Sequence, residues 1–275
     1  MPASLDTLPR GHQLPASSFG VSPDWVREYV EATEDEATPA LDPDLVPPMA
    51  LAALTIRSLL ESAALPAGAL HAGQELAFRR PVRAGERLNA SASISGRGER
   101  RGWLLVTVDL SVADESGEPV MTGRARVTMT AGADLTIELE AEDGDKPPAQ
   151  QPGDLPSVTR RLTQEKIDRY ARASGDGNPL HTDPQFAART PFGGTIAHGM
   201  LVLAYLSQMM TAAFGDAWPA GGRLKARFRG AARPGDAVTA LGRVLRAADG
   251  RAVCAVECRN QRGDLLVSGE AEVPL

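Results

Sequence analysis

The chain has 275 residues, with 29 Lys and Arg against 35 Asp and Glu, a net charge of -6 and a pI near 5.3. That balance disfavours a nucleic-acid or anionic-membrane role, while a local basic patch can still bind an anionic ligand. Hydrophobic content of 43% and charged content of 23% are ordinary for a soluble globular chain long enough for two domains.

From the N-terminus, Met1 to Leu14 lacks an apolar core of the kind a signal peptide needs. No apolar run reaches the roughly eighteen residues of a membrane span. Residues 26–35 predict an amphipathic helix running into an acidic turn, and Met49 to Leu60 predicts an apolar helix. The block Phe78-Arg79-Arg80-Pro81-Val82-Arg83-Ala84-Gly85-Glu86 follows, then strand-like runs at Leu88–Ser95, Trp103–Val112 and Pro119–Thr130. Gly117-Glu118 is a hairpin signal between the last two. Residues 133–157 read as a linker, acidic, Pro-rich and poor in large apolar residues.

The second half repeats the first. Ile167 to Asp176 predicts an amphipathic helix ending in an acidic turn, and His198 to Met210 an apolar helix. Phe228-Arg229-Gly230-Ala231-Ala232-Arg233-Pro234-Gly235-Asp236 keeps the Phe, two Arg and Gly of the earlier block at an offset of 150 residues. Strand-like runs close the chain at Ala237–Leu245, Ala252–Arg259 and Leu265–Val273, with Gly263-Asp264 as the matching hairpin signal. Each half thus predicts a short helix, a longer buried helix and an antiparallel sheet. The class is α+β, with the duplication imitating a two-fold dimer. The only cysteines, Cys254 and Cys258, fall on one face of a strand about 13 Å apart, too far for a disulfide. They read as reduced packing residues, with no metal site beside them, and a cytoplasmic location is the default.

One stretch has no counterpart in the first half. Ser174-Gly175-Asp176-Gly177-Asn178-Pro179-Leu180-His181-Thr182-Asp183 gathers a carboxylate, a carboxamide and an imidazole on a turn-forming sequence. Histidine is the usual acid/base near neutral pH, and a neighbouring carboxylate can share proton transfer. Aligned without gaps, Asp176 falls on Asp35, Asn178 on Ala37 and His181 on Ala40. His198-Gly199-Met200 falls near Pro47-Pro48-Met49, where proline has no N–H to offer. One active site per chain, in the second half, is therefore expected.

These residues, with Phe186-Ala187, Phe192-Gly193 and Ile196-Ala197-His198-Gly199-Met200, resemble the hydratase motif of MaoC-like, (R)-specific enoyl-CoA hydratases. The resemblance is close over a few tens of residues and extends in outline over the second half. It implies two tandem hotdog folds, each a long central helix wrapped by a curved antiparallel sheet. The units would be a degenerate first one at 1–132 and a catalytic second one at 158–275. It further implies that Asp176 and His181 form the catalytic pair, that Asn178 orients pair and water, and that the Gly199 N–H binds the thioester oxygen. Ser207 resembles a polar central-helix residue near the pair. The reaction implied is reversible hydration of a 2-enoyl thioester, 2-enoyl-CoA to (R)-3-hydroxyacyl-CoA, without metal or redox cofactor.

Other residues have plainer readings. His198 begins the apolar helix and either packs or orients the Gly199 peptide, while His12 and His71 have no partner in sequence. Arg223, Lys225, Arg227 and Arg229 alternate on one strand face, either as a solvated surface or as contacts to CoA phosphates. The first half, with small residues Ala50, Ala52 and Ala53 on its apolar helix, is expected to supply room for the acyl chain. Three rival functions remain open: the same chemistry on an acyl-carrier-protein thioester, a non-catalytic acyl-thioester binder, and a thioesterase. A homodimer is compatible with the pattern.

Overall fold

The computed structural model describes residues 3–61, 63–100, 102–130 and 154–275. In the first half the chain runs β1 (Ala3–Ser4), β2 (Ser17–Gly20), α1 (Pro23–Thr33), α2 (Ala37–Leu41), α3 (Pro48–Leu60), β3 (Ala63–Ala64), β4 (Leu70–Phe78), β5 (Arg87–Arg100), β6 (Trp103–Asp114) and β7 (Pro119–Thr130). The second half runs β8 (Val158–Arg161), α4 (Gln164–Ser174), α5 (Pro179–Thr182), α6 (Pro184–Ala188), α7 (Gly199–Phe214), α8 (Ala217–Gly221), β9 (Arg223–Phe228), β10 (Ala237–Ala248), β11 (Arg251–Arg259) and β12 (Leu265–Pro274). None of the described helices is long and apolar enough to cross a membrane.

Local chemistry explains the element boundaries. Ser22 caps α1 by accepting from the Trp25 N–H at 3.5 Å, with Pro23 at the first helical position. Thr163 caps α4 in the same way through Lys166, and Gly175 ends it in the left-handed region at φ 74°. Ile167, Tyr170, Ala171 and Ser174 form the buried stripe of α4. In α7 every residue from Met200 to Thr211 is buried, which is why that segment is apolar nearly all round, with Ser207, Gln208 and Thr211 as its polar exceptions. Both expected hairpins form. Gly117 and Gly263 take φ of 88° and 89°, and the Asp114 carboxylate accepts from the N–H groups of Ser116 and Glu118.

Among the described residues, ten strands make one antiparallel sheet in the order β2-β5-β6-β7-β4-β9-β12-β11-β10-β8. The first five strands and the last five are arranged alike about the β4–β9 junction, so the duplication seen in the sequence becomes an internal pseudo-dimer. Each half lays its long helix, α3 or α7, against its part of the sheet. The halves also meet through α1 and α4, where the Trp25 indole N–H donates to the Ala173 carbonyl at 2.7 Å and Tyr29 meets Tyr170 edge-on at 5.8 Å.

Three expectations change. The strands β5 and β10 run on to Arg100 and Ala248, past the end of their apolar alternation, because a neighbouring strand continues the hydrogen-bond ladder. β4 has no strand signal of its own in the sequence, since Leu70-His71-Ala72-Gly73-Gln74 breaks strict alternation where a bulge sits between His71 and Gly73. Most of the expected linker, 133–153, lies outside the described residues. Its last part is built into the second half: Leu155 is buried and donates its N–H to Gly242, and Asp154 pairs with Arg243 at 2.7 Å. Cys254 and Cys258 are free and buried on β11, as expected.

Trp218 is fully buried, packs edge-on against Phe78 of the other half at 5.7 Å and donates to Ser207 at 2.9 Å. Trp218→Ala is expected to cost about 3–5 kcal/mol of unfolding free energy, read from the urea midpoint at unchanged slope.

Candidate active site

The loop between α4 and α6 is held by its own side chains. The Asp176 carboxylate accepts from the Asn178 N–H at 3.2 Å, and the Asn178 amide oxygen caps α5 by accepting from Leu180 at 3.1 Å. Asp183 caps α6, accepting from Gln185 and Phe186. α5 is therefore short and rigidly placed, and His181 is carried inward to 8% exposure.

The tautomer of His181 follows from its partner. Its Nδ1 lies 2.9 Å from the Ile196 carbonyl oxygen, which can only accept, so Nδ1 carries the proton and Nε2 keeps its lone pair. Gln164 braces the same turn: its Nε2 donates to the His181 carbonyl at 2.9 Å and its Oε1 accepts from Thr195 at 2.6 Å. Gln164 and Thr195 carry no signal in the sequence, being ordinary polar residues outside the motif. His198 donates from Nε2 to the Asp176 carbonyl at 3.0 Å, and its ring lies on that of His181 with centroids 3.8 Å apart. It thus braces the Asp176 backbone and stacks on His181.

A carboxylate oxygen of Asp176 and one nitrogen each of His181 and His198 lie within 4.8 Å of one another. By donor type these three residues could hold a divalent cation. Burial pushes the pKa of His181 down, opposed by the nearby Asp176 charge and by the bond to Ile196. Burial also depresses His198, and the neighbouring His181 adds to the effect. Both rings are accordingly neutral at pH 7.

Gly199 is the first residue of α7, where an N–H has no intrahelical acceptor and the helix dipole is positive. A Cβ here would fall 2.6 Å from Cε1 of Phe228, so only glycine lets that ring close over the helix start. Asp176, Asn178, His181, His198 and Gly199 all line one cavity of about 360 Å³. Its far wall is apolar and belongs to the first half, including Ile56, Leu65, Trp103 and Leu110.

Several expected residues are placed differently. Both ends of the Asn178 amide are committed, the oxygen to Leu180 and the nitrogen to the Ala69 carbonyl at 3.2 Å. Asn178 thus orients His181 by capping α5 and ties the loop to the first half. Ser207 is not on the cavity wall: two turns along α7 from Gly199, it is buried and accepts the Trp218 indole N–H. Arg227 is exposed on the face of β9 opposite buried Leu224 and Ala226, away from the cavity. β9 ends at Phe228, so Arg229 is no longer held to the outer face and reaches the cavity wall, its Nε donating to Ser268 at 3.0 Å. Ala50, Ala52 and Ala53 are buried in the core, and among the described residues of α3 it is Ile56 that lines the cavity. His71 does have partners: it lines the cavity from the first half, its ring tilted against Phe228 at 5.0 Å.

The pattern of the MaoC like domain matches residues 146–263. The second half belongs to that family. Residues 10–123 match the dehydratase domain region of FAS1-like proteins. Over 226 residues the chain is 29% identical to 3-hydroxyacyl-thioester dehydratase X of Mycobacterium tuberculosis, covering 78% of this chain and 77% of the relative. It is 33% identical over 129 residues to the (R)-specific enoyl-CoA hydratase of Aeromonas caviae, covering 45% of this chain and 93% of the relative. A Mycobacterium tuberculosis protein solved as a double hotdog fold superposes with a TM-score of 0.72 at 12% identity, over 99% of this chain and 98% of that one. This MaoC-like chain therefore has the double hotdog fold.

In the position equivalent to Asp176, the first half of this MaoC-like chain has Asp35, with both oxygens used locally. Oδ1 accepts from the N–H groups of Ala37 and Thr38 at 3.0 Å, and Oδ2 from the Thr38 hydroxyl at 2.8 Å. Asp35 is a buried cap.

The neutral imidazoles make stability depend on pH. His71 is pushed down to about 4 by burial, and His181 and His198 are also depressed, so the unfolded chain takes up protons first as pH falls. Unfolding free energy is expected to be steady above the ordinary histidine pKa of about 6.5. It should decline as pH falls from there toward about 4, the value for His71. Urea titrations from pH 8 to 4 check this; a flat profile would contradict it.

Proposed function

We propose that this chain adds water reversibly to a 2-enoyl thioester, with 2-enoyl-CoA going to (R)-3-hydroxyacyl-CoA. The observation that carries the reading is the convergence on one largely apolar cavity of the Asp176 carboxylate, the lone-pair edge of neutral His181 and the free N–H end of α7. The names of the relatives, a 3-hydroxyacyl-thioester dehydratase and an (R)-specific enoyl-CoA hydratase, support the same chemistry.

In this reading Asp176 and His181 share the attacking water. A proton leaves the water as its oxygen bonds to C3, and the C2–C3 electron pair moves to form an enolate. The Gly199 N–H, at the positive end of α7, stabilises the charge on the thioester oxygen. A proton then reaches C2 from the same pair of groups, on the same face. Written backwards, these steps dehydrate a 3-hydroxyacyl thioester. The division of labour follows the sequence reading: residues 158–275 supply the acid–base groups and residues 1–132 the acyl wall.

The carrier is read as CoA, and Arg229 at the cavity wall supplies a positive charge for its phosphates. An acyl-carrier-protein thioester presents a similar phosphopantetheine arm, and comparing the two esters in one assay separates them. A cytoplasmic location and an optional homodimer complete the proposal.

The test is absorbance at the enoyl-thioester band with crotonyl-CoA and octenoyl-CoA, alongside His181→Ala. Wild type is expected to consume the band, and the variant to lose about 10²–10⁴-fold in rate. Retained rate in the variant would remove His181 from the chemistry. Because the pKa of His181 is depressed, the acid limb of kcat/KM should lie below the ordinary histidine value of about 6.5.

A third expected outcome concerns the helix start. Gly199→Ala places a methyl group against Phe228, so kcat is expected to fall by about 10²-fold or more as the N–H is displaced from the reacting oxygen. Steady-state kinetics on the folded variant check it.

A further inference from the structure

The cavity wall contributed by the first half is apolar almost throughout, with Leu5, Leu14, Ile56, Leu65 and Leu110 among its members. His71 interrupts it. This residue lies on β4 where the strand bulges, half-buried, with its ring tilted against Phe228 at a centroid distance of 5.0 Å. Phe228 in turn covers Gly199, so His71 stands one ring away from the start of α7. The Asp176 charge is felt at His71, and the Gln74 side chain and Gly73 backbone interact with the ring as hydrogen-bonding groups that favour its protonated form. Its Nε2 is buried with no hydrogen-bond partner among the described residues. A polar ring at such a place costs stability relative to an apolar residue of the same shape, unless something else uses its nitrogens.

We propose that His71 is a substrate-contacting residue supplied by the first half, its imidazole hydrogen-bonding the acyl thioester at the end on which Asp176 and His181 act. The assignment rests on the acyl-thioester reading above. It makes the site composite: the acid–base pair comes from the second half, and a polar contact on the opposing wall comes from the first. The first half, without a motif of its own, then contributes to the reacting end of the ligand as well as to its apolar tail. His71 is held there by its pairing with Val127 of β7 and by the β4–β9 ladder, which begins two residues further on with Gly73 opposite Arg227. It is neutral at pH 7, with burial outweighing the Asp176 charge and the Gln74 and Gly73 hydrogen-bonding groups, so Nε2 is the ring nitrogen left for the ligand and no cation is brought to the cavity.

Two substitutions separate contact from packing. His71→Phe keeps a flat ring on Phe228 and removes both nitrogens. His71→Gln loses the ring and keeps a donor and an acceptor. With crotonyl-CoA and octenoyl-CoA as probes, His71→Phe is expected to lower kcat/KM by about tenfold or more, the scale of one lost hydrogen bond. His71→Gln should retain at least about three times the activity of the Phe variant. A purely packing role predicts the reverse order, so a Phe variant equal to or better than the Gln variant overturns the assignment, whatever the absolute rates. Wild-type turnover is read first. No turnover on either ester overturns the functional reading and the His71 assignment together, whereas turnover with Phe at or above Gln overturns the His71 assignment alone.

Discussion

The hydrogen-bonded ladder between β4 and β9 is the constraint on which the rest of the molecule depends. It pairs Gly73 through Ala77 with Arg227 through Arg223 and turns two curved five-stranded sheets into one. Without it each half would present a bare inner edge, a liability for a sheet of this length. The ladder also sets the register of the cavity. Phe228 is the last residue of β9, and its ring meets both His71, at the bulge of β4, and the Gly199 backbone. Asn178 adds a second tie by donating to Ala69, just before β4 begins. The active-site loop of one half is thus positioned by the backbone of the other.

Within that frame, the polar groups of the site are held mainly by backbone carbonyls. Ile196 orients His181, the Asp176 carbonyl orients His198, and Ala69 holds Asn178. Backbone acceptors do not titrate or change rotamer, so they fix tautomers over a wide pH range. Burial then keeps the rings uncharged beside the Asp176 side chain. This arrangement suits a reaction that moves protons within a small volume and gathers charge only transiently on a thioester oxygen.

The duplicated halves show how little separates a reactive carboxylate from a structural one. Asp35 and Asp176 follow equivalent helices. Beside Asp35 stands Thr38, whose N–H and hydroxyl occupy the carboxylate together with the Ala37 N–H. Beside Asp176 the chain has Asn178, which takes one backbone bond to Oδ1 and sends its own amide to the other half. With Ala40 where the second half has His181, the first half lacks a base, and its core opens into the acyl wall.

Much of this was legible in the chain itself. Helix caps, the two apolar helices, the paired hairpins and the Asp176 to His181 stretch are local patterns, written in neighbouring residues and in the repeat. Gly199 could be singled out because a motif surrounds it. His71, Gln164 and Thr195 could not, because each acts on a residue that is distant in sequence, and nothing in their own neighbourhood marks them. Ser207 and Arg227 misled for the complementary reason. A polar residue on a buried helix and an alternating basic strand fit a site in one dimension, but Trp218 claims the first and the pleat turns the second to solvent. The sequence by itself determined the elements, the duplication and the chemical groups. Only the tertiary structure decided which of those groups share a cavity, because that depends on the register of a ladder between strands some 150 residues apart.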